Sequence, residues 1–210
     1  MILHSNDPDP GIRIADRVAR VSIMSSVPLH RLRLARHHIR SGGVIAYPTE
    51  AVYGLGCDPW NGDAVMRLLA IKRRDVSKGL ILIAADAAQL NPFVERLPED
   101  RMAEIEATWP GPVTWLFPAR STTPRWLTGR FDTLAVRVTA HPVAAALCRL
   151  HGGAIVSTSA NMADRRPGRT ALDVRLGLPD GPDYILSGVC RGASRPSRIL
   201  DGRTGGVLRA

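Results

Sequence analysis

From Ser26 onward the apolar positions fall into regular periods. Leu29, Leu32, Ala35 and Ile39 recur on one side of a helix that Gly42-Gly43 brings to an end. The run VIAYPTE that follows reads as a buried strand entering a turn. Asn61 fits the N-cap of a second helix, GDAVMRLLAIKRR, whose Val65, Leu68 and Leu69 face inward. GLILIAA, residues 79–85, is apolar throughout, the mark of a strand covered on both faces. The same reading predicts a helix over 98–109, strands in VTWLFPA and LAVRVT, a helix over 142–151 and a strand in AIVSTS. A helix near 171–177 and short strands around DYILSG, SRIL and GVLR complete the chain. This alternation predicts an α/β fold with a twisted, mixed sheet and flanking helices. Residues 1–26, with Pro8, Pro10 and Gly11, follow neither period and read as a loosely ordered N-terminal extension, so the expected domain is 27–210. Met24, just before the patterned region, is a candidate for the true start.

Composition narrows the class. With 210 residues, 45% hydrophobic and 22% charged, the chain buries one core, which excludes a disordered or fibrous protein. The net charge of +9 favours polyanions, so nucleic acid or a nucleotide is the natural partner. Of 28 basic residues only Lys72 and Lys78 are lysines, and both lie in one short segment. Cys57, Cys148 and Cys190 are odd in number and form no C-x-x-C pair, so neither a disulfide framework nor a zinc site is suggested. No apolar run reaches about 18 residues and no secretory pattern opens the chain, so a cytoplasmic protein without a membrane span is expected. Six histidines are scattered, and His37-His38 is placed on an exposed helix face, so no metal site is expected.

Four segments carry candidate chemistry. IKRRDVSKG sets Lys72, Arg73, Arg74 and Lys78 between a helix end and a buried strand; they could cradle a triphosphate, or simply complement the helix dipole. In AIVSTSANMADRRPGRT a strand emerges into Ser157, Thr158, Ser159 and Asn161, small polar groups that suit a phosphate or ribose but equally form a turn. In VIAYPTEAVYGLGCDP, Thr49, Glu50 and Tyr53 precede bends at Gly54 and Gly56, a plausible binding loop. Arg137 interrupts the apolar strand LAVRV; a buried guanidinium needs a partner, either an anionic ligand or a distant carboxylate such as Glu50. Trp109, Trp115 and Trp126 are assigned to core packing or pocket lining. Ser157 and Ser159 lack a G-x-S-x-G elbow and a histidine partner, which disfavours a hydrolase.

Taken together, YPTEAVYGLGCDP, the K-x-R of Lys72 and Arg74 with SKGLILIA, WPGPVTWLFPA, TPRWLTGRFDTLAVRVTAHP and STSAN occur in one order. Over roughly residues 27–210 the sequence resembles the YrdC/Sua family, and within it the short TsaC-type threonylcarbamoyl-AMP synthases. The resemblance implies a single α/β domain around a basic concave cavity. It also implies an enzyme that joins L-threonine, bicarbonate and ATP into threonylcarbamoyl-adenylate and pyrophosphate for tRNA threonylcarbamoyladenosine modification. Carried over by motif, Lys72 and Arg74 become catalytic and ATP-binding residues, joined at the nucleotide by Lys78, Thr133, Ser159, Asn161 and Arg209. Thr49, Arg137, Ser157 and Ser197 match positions for threonine. Mg2+ is expected to travel with ATP, with no dedicated metal ligands. The implied partners are tRNA or double-stranded RNA and the proteins of the tRNA threonylcarbamoyl-transferase complex.

Ala51 and Ile83 differ from the long members in a way that fits the short type, and the sequence departs from the family pattern at Asp75, where a proline is usual, and at Ala163-Asp164, where many members have Ser-Gly. Two rival readings share the fold: a non-catalytic RNA-binding protein and a YciO-like paralogue with a different reaction.

Overall fold

The computed structural model describes residues 27–191 and 197–209. The expected N-terminal extension and the Met24 start lie outside the described residues. Six helices and nine strands follow in the order α1 (Leu29–Arg40), β1 (Ile45–Pro48), β2 (Tyr53–Gly56), α2 (Gly62–Lys72), β3 (Ile81–Ala84), α3 (Glu99–Ala107), β4 (Val113–Pro118), α4 (Arg125–Thr128), β5 (Thr133–Val138), α5 (Pro142–His151), β6 (Ile155–Ser159), α6 (Ala171–Gly177), β7 (Tyr184–Ile185), β8 (Arg198–Asp201) and β9 (Val207–Arg209) among those residues. Single 3-10 turns at Val76–Lys78 and Ala87–Leu90 flank β3. The strands form one mixed sheet in the order β7-β1-β2-β6-β3-β5-β4-β8-β9. Its parallel pairs are β1/β7, β3/β5 and β4/β8, and the remaining neighbours are antiparallel.

The two faces of the sheet are covered unequally, and this positions the site. On one face Val65, Leu68 and Leu69 of α2, Met102 and Ile105 of α3, and Leu127 of α4 pack with Leu82, Trp115, Phe117, Leu134 and Val136. On the other, α1 and α5 cover Ile45, Tyr47, Ile83 and Ile155, and so close only the β1–β3 side. Each fully buried Leu or Ile contributes about 1.5–3 kcal/mol. Beyond β3 no helix among the described residues packs on this second face. There Ile81, Leu116, Thr133 and Ala135 are half-buried, leaving an open trough across β3, β5, β4 and β8. In β5 the alternation is direct, because Leu134, Val136 and Val138 enter the core while Thr133, Ala135 and Arg137 line the trough.

Helix limits follow local chemistry. Asn61 Oδ1 accepts from the Ala64 N–H at 3.0 Å and caps α2. His141 caps α5, with proline at its first helical position and Gly152 in the left-handed region at its end. Thr170 and Asp173 form a capping box on α6.

The reading of Gly54 and Gly56 as bends is corrected, because YGLG is strand β2, paired with β1 in a tight hairpin. The glycines are there for close approach. A Cβ on Gly56 would stand 2.4 Å from the Val156 carbonyl and 2.9 Å from the Tyr47 ring, which lies across this strand. His38 is also corrected: it is half-buried and stacks on Tyr184 with ring centroids 5.2 Å apart, while His37 is exposed. Trp115 is buried in the core, and Trp109 stacks on Phe117. All three cysteines are free, and burial pushes the thiols of Cys57 and Cys148 up to about 12.

Candidate functional site

The basic segment after α2 is shaped by an unusual helix end. Arg73, the middle residue of K-x-R, sits in the left-handed region at φ 49°, a conformation that costs a non-glycine residue about 1 kcal/mol. The turn separates Lys72 from Arg74. Lys72 is 4% exposed, and its Nζ donates to the Ser159 carbonyl and, at 2.7 Å, to the Asn161 carbonyl. The Lys72 carbonyl in turn accepts from the Ala163 N–H at 2.9 Å. K-x-R and S-x-N, 87 residues apart, are thus tied by one ammonium. Burial, and secondarily the neighbouring Arg74, lower the Lys72 pKa to about 8.

Arg74 donates from Nη2 to the Gly79 carbonyl at 3.0 Å, while its Nε is buried without a hydrogen-bond partner among the described residues. Burial lowers its pKa as well. The Asn161 amide nitrogen donates to the Met162 and Arg165 carbonyls, and its Oδ1 is likewise unpartnered. A cavity of about 450 Å³ opens beside Asn161, between Arg165, Arg166, Gly168 and Asp173. Lys78 is exposed at the end of the 3-10 turn.

The two departures near these motifs are accommodated. Asp75, at φ −65°, accepts from the Ser77 N–H at 2.8 Å and starts the 3-10 turn, and its φ is the one a proline would fix. Asp164 takes φ 60°, a left-handed conformation that aspartate tolerates better than most residues.

Arg137 forms a second centre. It is 9% exposed, and its Nη2 lies 3.3 Å from Glu50 Oε2, so the distant carboxylate is its partner within the chain. Glu50 Oε1 accepts from the Thr139 hydroxyl at 2.7 Å and from the Ala140 N–H at 3.2 Å. Burial favours the neutral Glu50 acid, but Arg137 and the Thr139 hydroxyl outweigh it and hold the carboxyl below the usual range. Arg209 stands near Arg137: burial lowers its pKa first and the Arg137 charge second. It donates to the Ser197 carbonyl at 2.7 Å, and Thr114 donates to Ser197 Oγ at 3.0 Å. Thr114 is not among the expected site residues, and Glu50 is expected only in the loop after β1 and as a possible partner of Arg137. A threonine between apolar neighbours in VTWLF is the available signal for Thr114.

The remaining positions are distributed between the centres. Thr49 is buried, and its hydroxyl donates to the Val52 carbonyl at 2.6 Å, closing the turn that presents Glu50. Ser157 is hydrogen-bonded to the buried Tyr47 hydroxyl, whose pKa burial raises. Thr133 is half-buried opposite Pro118 at the start of β5. Ile83 lies opposite both Arg137 and Ile155 in register, and Ser159 is the last residue of β6. Two strand spacings and four residues of rise therefore separate Arg137 from Ser159 by about 16 Å on one sheet face. Lys72, Ser159 and Asn161 meet at one end; Arg137, Arg209 and Ser197 meet at the other. Arg209, expected at the nucleotide, thus lies beside Arg137 on the far edge strand, away from Lys72.

A family model for the Sua5/YciO/YrdC domain, described as telomere recombination, matches residues 37–210. The chain belongs to this family. Curated members of the Sua5/YciO/YrdC family named threonylcarbamoyl-AMP synthase are 57% identical over 182 residues in Nitrosococcus oceani, covering 87% of this chain and 98% of that protein. The relative of the same name in Halorhodospira halophila is 55% identical over 179 residues, covering 85% and 94%. The crystal structure of P. abyssi Sua5 complexed with L-threonine superposes with a TM-score of 0.76 at 33% identity; the match covers 81% of this chain and half of that longer one. E. coli YciO shares the fold with a TM-score of 0.71 at 22% identity, covering 86% and 91%. Among the described residues no helix is long and apolar enough to cross a membrane.

Proposed function

We propose that the protein is a threonylcarbamoyl-AMP synthase, forming threonylcarbamoyl-adenylate and pyrophosphate from L-threonine, bicarbonate and ATP. The observation that carries the reading is the pair of cationic centres in one sheet: a guanidinium beside a carboxylate on β5, and a desolvated ammonium with a second arginine at the end of β6. The names of the curated relatives and the threonine complex of a family member support it.

In this reading Arg137 receives the threonine carboxylate, with Thr49, Ser157 and Ser197 around it. Lys72, Arg74, Lys78, Ser159 and Asn161 receive the phosphates, with Thr133 as a further nucleotide contact, while Arg209 adds its charge beside Arg137. The threonine amine adds to the carbon of bicarbonate and water leaves, giving a carbamate. A carbamate oxygen then attacks the α-phosphorus, the bond to the bridging oxygen breaks, and pyrophosphate departs. The carbamate and ATP are both anions, so the work of the protein is to hold them in line and offset their repulsion with fixed cations in a partly desolvated site. Mg2+ comes with ATP in this scheme. Among the described residues no group of three His, Cys, Asp or Glu side chains could hold a metal ion. The adenylate then passes to the tRNA threonylcarbamoyl-transferase proteins, and tRNA and a cytoplasmic setting belong to the same proposal.

The test is pyrophosphate release by purified protein, with identification of the adenylate by mass spectrometry. Release should need both threonine and bicarbonate and vanish in Lys72→Ala. Threonine-independent release, or none, would overturn the reading.

A further inference from the structure

Arg137 has its counter-charge supplied from inside the chain, and the manner of supply is informative. Glu50 is not a loose surface acid, because its side chain is 12% exposed. Oε1 is held by two donors from the turn between β5 and α5, the Thr139 hydroxyl and the Ala140 N–H. That turn is itself fixed: Thr139 Oγ1 accepts from the His141 N–H at 3.1 Å, and the His141 ring bonds the Val189 carbonyl at 3.1 Å while capping α5. With Oε1 anchored, Oε2 is directed at Arg137 Nη2. Across the trough stands Arg209, which no acid pairs among the described residues, so Arg137, Glu50 and Arg209 together keep a net charge of +1. A single carboxylate neutralises that set.

Resting on the function proposed above, we propose that Glu50 is a positioning residue: it holds one edge of the Arg137 guanidinium so that the other edge meets the α-carboxylate of the amino-acid substrate. A role in charge balance alone has the opposite consequence. Removing a negative charge from beside a carboxylate-binding arginine would tighten threonine binding, whereas removing a brace weakens it.

The decisive comparison is steady-state pyrophosphate release by wild type, Glu50→Gln and Glu50→Asp, with threonine and ATP varied separately. Glu50→Gln should raise KM for threonine on the order of tenfold to a hundredfold, while KM for ATP and kcat stay within about threefold. Glu50→Asp, which keeps the charge, should recover part of the loss. An unchanged or lowered threonine KM in a folded Glu50→Gln protein overturns the assignment. Should Glu50→Gln not fold, Thr139→Val removes the anchoring hydroxyl and leaves the charge; a threonine KM equal to wild type in that variant also overturns it. Wild type without threonine-dependent release overturns the proposed function and this assignment with it, whereas an active wild type with an unmoved variant overturns the assignment alone.

Discussion

Lys72 offers the sharpest quantitative test, because its charge is conditional within an experimentally convenient range. Its ammonium is held by two carbonyl oxygens and no carboxylate, and its pKa falls from 10.5 for a free lysine to about 8. At roughly 1.4 kcal/mol per tenfold change, that difference corresponds to about 3 kcal/mol by which burial disfavours the charged form. The sign for folding is fixed by proton counting. Between pH 8 and 10.5 the unfolded chain binds more protons at this site than the folded one, so the Lys72 contribution to stability is full above 10.5 and lost as pH falls toward 8. The sign for ATP is the reverse. Phosphates favour the ammonium, so the pKa in the complex rises above about 8, and affinity is full below pH 8 and falls above it. At pH 9 about one free molecule in ten remains protonated, which weakens ATP binding about tenfold relative to pH 7. The phosphate groups are already ionised, with a second pKa near 6, so they add no slope. Isothermal titration of ATP between pH 7 and 9 measures this, with Lys72→Arg as the control that does not titrate and should show a flat profile. A flat profile in wild type, or the same slope in Lys72→Arg, would refute the reasoning.

Other expectations follow from single contacts. Gly56→Ala should lower stability by about 1–3 kcal/mol, read as the midpoint of urea unfolding, because its Cβ would meet the Val156 carbonyl. Asn61→Ala should cost about 1 kcal/mol of stability through loss of the α2 cap, with a lower melting temperature as the readout. Asp164→Gly should leave the fold intact and raise the melting temperature, since glycine accepts φ 60° without the strain of about 1 kcal/mol.

What the sequence disclosed depended on whether a residue contradicted its local surroundings. Arg137 in an apolar strand and the isolated lysines of IKRRDVSKG were visible because a cation among hydrophobic residues demands an explanation within a few positions. Helices α2, α5 and α6 were equally legible, since their caps and apolar spacing are local. Strand β2 was not, because Gly54 and Gly56 lower strand propensity, and their reason, the Tyr47 ring and the Val156 carbonyl, comes from other strands. The division of the site into two ends was also beyond local reading. It arises from strand order, which carries Arg209 on β9 to the neighbourhood of Arg137 rather than Lys72.

The two buried cations differ in a way that assigns them different work. Arg137 has a carboxylate at 3.3 Å, so in the proposed function the amino-acid end presents its guanidinium in a fixed direction. Lys72 has carbonyl dipoles only, and the cost of its burial is not repaid until an anion arrives. An ammonium held in this way gains most from the species carrying the most negative charge. That species is the polyphosphate, and the gain grows as charge accumulates on the departing pyrophosphate oxygen. In the proposed function, the same burial that weakens the charge of the free protein therefore directs its stabilisation toward the transition state. This explains why an ammonium, placed by the left-handed turn at Arg73, sits against the S-x-N carbonyls instead of against an acid that would have neutralised it beforehand.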